Sequence, residues 1–201
     1  MKGNSRSGHR VFIAIELPDD IRPRFAQLQD ELRQKLPEKA LRWIKPGNLH
    51  LTLHFLGEVA SGSLPSLQEA LEAGAHGQGS FELRPCTTGC FPGHRRPRVL
   101  WAGFEPSPEP ENLYRSLGLQ LEKRGFETES RPYKPHLTLA YLEKRLTAEV
   151  RAHTGTLLRQ YDPGPIAGFM VKEVSLVESD LTPSGAVYST LGTASLGKQG
   201  Q

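Results

Sequence analysis

The word His-Leu-Thr-Leu occurs twice in this chain, at residues 50–53 and 136–139, 86 positions apart. Each copy sets a proton-transfer group and a hydroxyl two residues apart between leucines. On an extended strand, residues i and i+2 project from the same face, roughly 7 Å apart. Each copy therefore offers an imidazole and a hydroxyl on one side and two leucines on the other. Such a strand needs one face in a core and the other at a boundary. Two of them facing a common cleft would surround one small anion with two imidazoles and two hydroxyls. That arrangement suits acid–base chemistry on a phosphate ester and requires no metal.

The segments around the two words alternate between helix and strand signals. Val11 to Leu17 reads as a strand. Pro18-Asp19-Asp20 then opens a helix whose apolar residues Ile21, Phe25, Leu28, Leu32 and Leu36 recur at steps of 4, 3, 4 and 4. Pro23 is tolerable there because it falls in the first turn. Leu41 to Ile44 reads as a short strand, Pro46-Gly47-Asn48 as a turn, and His50 to Leu56 as the first motif strand, closed by Gly57. Leu64, Leu67 and Leu71 predict a second helix. Phe81–Leu83 and Val99–Phe104 predict strands, with Pro85 to Pro97 as a loop between them. Leu113, Leu117 and Leu121 predict a third helix, ended by Gly125. Pro132-Tyr133-Lys134-Pro135 introduces the second motif strand, His136 to Leu142. A helix over Thr147–Leu158 and two strands, Phe169–Glu178 and Ala186–Leu191, complete the pattern. The mixture has no strict βαβ run and no Gly-rich phosphate loop, which favours an α+β fold. Recurrence of helix, Pro-marked turn and motif strand suggests two related halves, dividing somewhere between Phe81 and Pro108.

A chain of 201 residues is enough for one domain or two small lobes with a real core. Its 25 basic and 22 acidic residues leave a net charge of +3, too little to predict nucleic-acid binding by itself. One cluster, His94-Arg95-Arg96-Pro97-Arg98, could meet a phosphodiester backbone, although a solvated loop is the commoner role for such a run. The two cysteines, Cys86 and Cys90, supply neither a disulfide framework nor a four-ligand zinc site and read as reduced thiols. Met1 to Arg10 lacks an apolar signal core, and no apolar run approaches a membrane span. The expectation is a soluble cytoplasmic protein with no membrane partner.

Other chemistries fit the motifs less well. His50 and His54 would share a metal on a helix, but on a strand they stand roughly 13 Å apart, too far for one zinc with ligands at about 2 Å. His54 is expected on the cleft-facing side or at its rim. No Gly-x-Ser-x-Gly elbow supports a serine nucleophile. Two imidazoles titrating near ~6.5 can instead be neutral and charged at once, while the threonine hydroxyls donate to phosphoryl oxygens. No metal and no cofactor are expected. Phe55 falls on the leucine side and is expected in the core. Trp43 and Tyr133 are candidates to stack a base, Tyr133 the better of the two.

Several segments carry a family likeness: RVFIAIELP at 10–18, RWIKPGNLHLTLHFLG at 42–57, PRVLWAG at 97–103, Tyr133 to Leu142, and EVSLVESDLTPSGAVY at 173–188. Through them the chain resembles the two-histidine phosphoesterases, and within these the bacterial RNA 2′,3′-cyclic phosphodiesterases, also called 2′-5′ RNA ligases. The likeness covers residues 10–192. It implies one α+β domain of two lobes, each an antiparallel sheet with outer helices, related by a pseudo-two-fold axis with a catalytic cleft between them. Residues 1–9 and 193–201 are expected as disordered tails.

The implied reaction is hydrolysis of an RNA 2′,3′-cyclic phosphate to a 2′-phosphate. By motif position, His50 would be the proton donor and His136 the proton acceptor, with Thr52 and Thr138 binding the phosphoryl oxygens. Run backwards, the same pair would join a cyclic end to a 5′-hydroxyl. Where this branch often has Arg after Leu-Ala, the chain has Tyr141, so the lost contact would come from Arg98 or Lys134. The implied partners are RNA ends or nucleotide cyclic phosphates, met by a monomer. Two alternatives stay open. One is the same chemistry on another nucleotide, such as a 2′-5′-linked oligonucleotide or an ADP-ribose cyclic phosphate. The other is an RNA-end-binding module without chemistry, which would not need two titratable groups.

Overall fold

The computed structural model describes residues 8–129, 131–164, 166–183 and 185–197. The elements run β1 (Gly8–Glu16), α1 (Arg22–Lys35), β2 (Leu41–Trp43), β3 (His50–Ala60), α2 (Leu64–Ala75), β4 (Phe81–Leu83), β5 (Pro85–Phe91), β6 (Val99–Phe104), α3 (Glu109–Glu122), β7 (His136–Leu142), α4 (Ala148–Gln160), β8 (Phe169–Val171), β9 (Glu173–Thr182) and β10 (Gly185–Ser195). β4 and β8 form a small antiparallel sheet of their own. The other eight strands form one antiparallel sheet in the order β10-β9-β1-β3-β7-β6-β5, with β2 also paired to β7. The fold is α+β, as the motif pattern predicts.

The large sheet is two four-stranded halves joined at one residue pair, Leu51 to Leu137, the second residue of each His-Leu-Thr-Leu word. Both leucines are fully buried, as is Leu139, and Leu53 is buried as well. Helices cover the leucine side of each half. α2 and α3 back the half that holds β3, where Ser116 Oγ donates to the carbonyl of Gly74 at 2.8 Å and Gln68 Nε2 to that of Thr193 at 3.1 Å. α1 and α4 back the half that holds β7. There Gln29 Nε2 donates to the carbonyls of Ile44 (2.8 Å) and Leu139 (2.9 Å), and Tyr161 at the end of α4 donates to Glu31 on α1. The predicted stripe of α1, from Ile21 to Leu36, is the buried one.

The two halves of the sheet are not the two halves of the chain. The C-terminal strand β9 pairs with β1, the early strand β2 pairs with β7, and α1 backs the later motif strand. A single division between Phe81 and Pro108 is therefore not the one the fold uses; the chain crosses between lobes several times. Pro85 to Phe91 is a strand rather than a loop. Its Gly89 serves packing, since a Cβ there would sit 2.4 Å from the Trp101 ring. The stretch from Phe169 divides at Lys172 into β8 and β9. Regular structure starts at Gly8 and continues to Ser195, so His9 and Thr193–Ser195 belong to strands, not tails; residues 1–7 and 198–201 lie outside the described residues. Among the described residues no helix is long and apolar enough to cross a membrane.

Removing a buried leucine leaves a cavity as well as losing transfer energy. Leu137→Ala is expected to lower the unfolding free energy by about 2–5 kcal/mol, read from urea titration. Leu181→Ala, at a side chain 59% exposed, is expected to stay within about 0.5 kcal/mol of the parent.

Candidate active site

The antiparallel pairing of Leu51 with Leu137 sets the geometry of both words at once. It brings His50 beside Thr138 and Thr52 beside His136, so the two histidines occupy opposite corners of a four-residue patch. Diagonal neighbours across such a pair stand roughly 7–8 Å apart. All four residues line one cavity of about 550 Å³ on the side of the sheet away from the leucines.

Each histidine is held in the same way. His50 Nδ1–H donates to the carbonyl of Asn48 at 2.8 Å, and His136 Nδ1–H donates to the carbonyl of Lys134 at 2.7 Å. A carbonyl can only accept, so the proton of the neutral ring sits on Nδ1 and Nε2 is left for the cleft. Rings pack around both. Phe12 stacks on His50 at 4.7 Å, and Tyr188 meets it edge-on at 5.3 Å and 82°. Phe91 meets His136 edge-on at 4.9 Å and 85°. The Pro-marked turns before each word supply the accepting carbonyls, which explains why both words follow such a turn.

Burial pulls the pKa of His50 below the ordinary imidazole value. The Asn48 carbonyl and the charge of Glu16 oppose that pull, and a charged His136 adds to it. Burial also lowers His136, opposed by the Lys134 carbonyl. The environments differ at one place. Glu16 is the register partner of His50 on β1, whereas Gly103 is that of His136 on β6. Only His50 therefore has a carboxylate beside it in the sheet.

Downstream of each word the parity of the strand changes. The pairing of β3 with β1 slips between Ile13 and Ala14, and that of β7 with β6 slips between Leu100 and Trp101. Each slip is a β-bulge, which turns the following side chains to the other face. His54 therefore points away from the cleft. It is buried beneath α3, where its Nε2–H donates to the carbonyl of Tyr114 at 2.8 Å and its ring stacks on the Tyr114 ring at 4.2 Å. Phe55 faces the cleft, half exposed and tilted against Phe12 at 5.7 Å. Both placements reverse the expectation from simple alternation. Tyr141 occupies in β7 the place Phe55 has in β3, and it too lines the cleft.

Tyr133 lines the cleft, lying flat on Tyr114 at 4.3 Å and 8°. His54, Tyr114 and Tyr133 thus form a three-ring column from the core to the cleft. The Tyr133 hydroxyl is buried without a partner among the described residues, and burial pushes its pKa up. Lys134 lines the cleft as well. Trp43 does not; the Arg33 guanidinium covers its ring at 4.9 Å. Arg98 is also outside the cleft and lines a neighbouring groove. Phe12 and Tyr188 had no signal in the sequence beyond lying on predicted strands, and Phe91 fell in a segment read as a loop, because only tertiary pairing brings them to the histidines.

The residues 15–101 match the family model of LigT-like phosphoesterases. Over 182 residues the chain is 32% identical to the RNA 2′,3′-cyclic phosphodiesterase of Methanothermobacter thermautotrophicus, covering 90% of this chain and 96% of that protein. It is also 32% identical to the enzyme of the same name from Archaeoglobus fulgidus, covering 90% and 97%. The crystal structure of Escherichia coli LigT complexed with 3′-AMP superposes with a TM-score of 0.75 at 29% identity, covering 94% of this chain and 98% of that one.

His50, His54 and His136 all have lowered pKa values in the fold. Below about pH 6.5 the unfolded chain therefore binds more protons than the native one, so stability falls as pH drops through that window and is unaffected by these groups above it. NMR titration should give native midpoints below ~6.5 for all three rings, and urea unfolding should weaken from pH 7 to pH 5.5. Midpoints above the free-imidazole value would contradict the burial described.

Proposed function

The chain belongs to the LigT-like family of two-histidine phosphoesterases, and we propose that it hydrolyses RNA 2′,3′-cyclic phosphate ends to 2′-phosphates by metal-independent acid–base catalysis. One observation carries the reading: two imidazoles, each anchored through Nδ1 to the carbonyl two residues upstream, occupy opposite corners of one cleft. A phosphoryl group between them has one Nε2 on either side, as an in-line displacement requires. Relatives named for this activity and a neighbour complexed with 3′-AMP support the substrate class.

In the proposed step His136, neutral with its lone pair on Nε2, takes a proton from water as the water oxygen bonds to phosphorus. The P–O3′ bond breaks on the far side, and His50, protonated on both nitrogens, gives its Nε2 proton to the departing O3′. The products are a 3′-hydroxyl and a 2′-phosphate, and the two rings exchange their protons with solvent before the next turn. Thr52 and Thr138 donate to the non-bridging oxygens, where charge builds in the transition state. Glu16 beside His50, against Gly103 beside His136, favours His50 as the protonated member. The bound anionic phosphate acts in the same direction, offsetting the effect of burial on His50. With an RNA 5′-hydroxyl in place of water as the attacking group, the same step breaks the P–O3′ bond and leaves a 2′-5′ linkage. In water, hydrolysis dominates.

The test is turnover of a cyclic-phosphate-ended oligoribonucleotide with identification of the product. A 2′-phosphate formed in excess chelator, with a bell-shaped pH profile, is expected. His50→Ala and His136→Ala should each lose about 10²–10⁴-fold in kcat while remaining folded, and Thr52→Ala or Thr138→Ala should lose about 10²-fold. Full activity in either histidine variant would end the reading; RNA-end binding without any product would favour the non-catalytic alternative.

A further inference from the structure

A second cavity, of about 830 Å³, adjoins the cleft. Its walls carry Arg42, Arg96, Arg98, Lys144, Arg145 and Arg151 against one carboxylate, Glu143. The chain as a whole has 25 basic and 22 acidic residues, so this balance is local and not a reflection of composition. Among the described residues Arg42, Arg96, Arg98, Lys144 and Arg145 make no ion pair. Their side chains are exposed. Arg151 has a different job. It donates to the carbonyls of Pro97 (2.8 Å), Glu143 (3.3 Å) and Lys144 (3.4 Å), which ties the segment before β6 to the segment after β7 and so fixes the two walls relative to each other. Arg98 is held through its backbone, its N–H donating to Phe91 and its carbonyl accepting from Leu142, with its side chain left for the groove.

The groove and the cleft share Tyr141. The Arg42 guanidinium lies over that ring at 5.1 Å, and Arg42 is its register partner on β2. An aromatic face at the mouth of a channel lined by unpaired cations is the combination that holds single-stranded nucleic acid. The cations follow the backbone while bases stack on the ring.

We propose that this groove is a phosphodiester track, holding the 5′-ward phosphates of the same RNA strand whose 3′ end occupies the cleft. This rests on the cyclic-phosphodiesterase reading above. A strand that ends in a 2′,3′-cyclic phosphate has all its other phosphates on the 5′ side, so it must leave the cleft, and the Tyr141 wall opens onto the only strongly cationic cavity among those described. The protein is then selective for oligomers over mononucleotides, a preference that the histidine site alone does not create.

Two measurements on the full chain test it. Binding of a fluorescein-labelled oligoribonucleotide ending in 2′-phosphate, the proposed product, is followed by anisotropy over a range of salt. Each phosphate contact contributes about −0.7 to the slope of log K against log salt. The double variant Arg96→Ala/Arg145→Ala should flatten the slope by about 1.4 and weaken binding about tenfold at low salt. A slope near zero for the parent, or a double variant with unchanged slope and affinity, overturns the track. Hydrolysis of a mononucleotide 2′,3′-cyclic phosphate is measured in parallel on the parent. Turnover there with salt-independent oligomer binding rejects the track alone. No turnover of either the mononucleotide or a cyclic-phosphate-ended oligoribonucleotide, with steep binding that the double variant loses, rejects the reaction and leaves the groove standing as a backbone site.

Discussion

One antiparallel residue pair, Leu51 with Leu137, joins the two half-sheets, and the geometry of the cleft follows from it. Both leucines are fully buried, so the opposite face of each word has to open outward. Because the pair is antiparallel, the histidines fall on a diagonal and each lies beside the other word's threonine. A parallel pairing would have set His50 beside His136 and left a phosphoryl group with both rings on one flank. The hydrophobic leucine face thus determines where the chemistry of the other face can act.

The approximate two-fold relation extends further than the repeated word. Both strands bulge after it, both histidines lean on the carbonyl two residues upstream, and each meets an aromatic edge from another strand. A symmetric site alone cannot distinguish donor from acceptor. The departures from symmetry are therefore informative. Glu16 stands opposite His50 where Gly103 stands opposite His136, which under the proposed mechanism would give the proton a preferred side. Tyr141 replaces Phe55, and its ring bears a guanidinium and faces a cationic groove, which on the proposed track would give an RNA strand its direction of exit.

Much of this was readable before any coordinates. The period-two words, the leucine stripes of α1 and α3, the Gly125 stop and the pairing of imidazole with hydroxyl are local patterns, and they appear where expected. What was not readable is non-local. The slip beside Leu53 reverses His54 and Phe55 because bulges depend on the neighbouring strand, not on the strand that carries them. The exchange of β2, β9 and α1 between lobes depends on which edges are open in the finished sheet. Gly89 lies in a segment read as a loop, yet it is a strand position whose missing Cβ admits the Trp101 ring. Arg98 was a reasonable phosphate ligand by charge alone, and it lies one cavity away because it precedes β6 instead of facing His136 from within it.

On the proposed mechanism the two imidazoles act from opposite sides of one phosphorus atom. The stereochemical course of the reaction tests this most directly. One diastereomer of a nucleoside 2′,3′-cyclic phosphorothioate is hydrolysed in isotopically labelled water, and the configuration of the chiral product is determined. The account predicts inversion at phosphorus, the mark of a single in-line displacement by water. Retention would contradict it, since that outcome requires either a covalent enzyme intermediate or attack and departure on the same side.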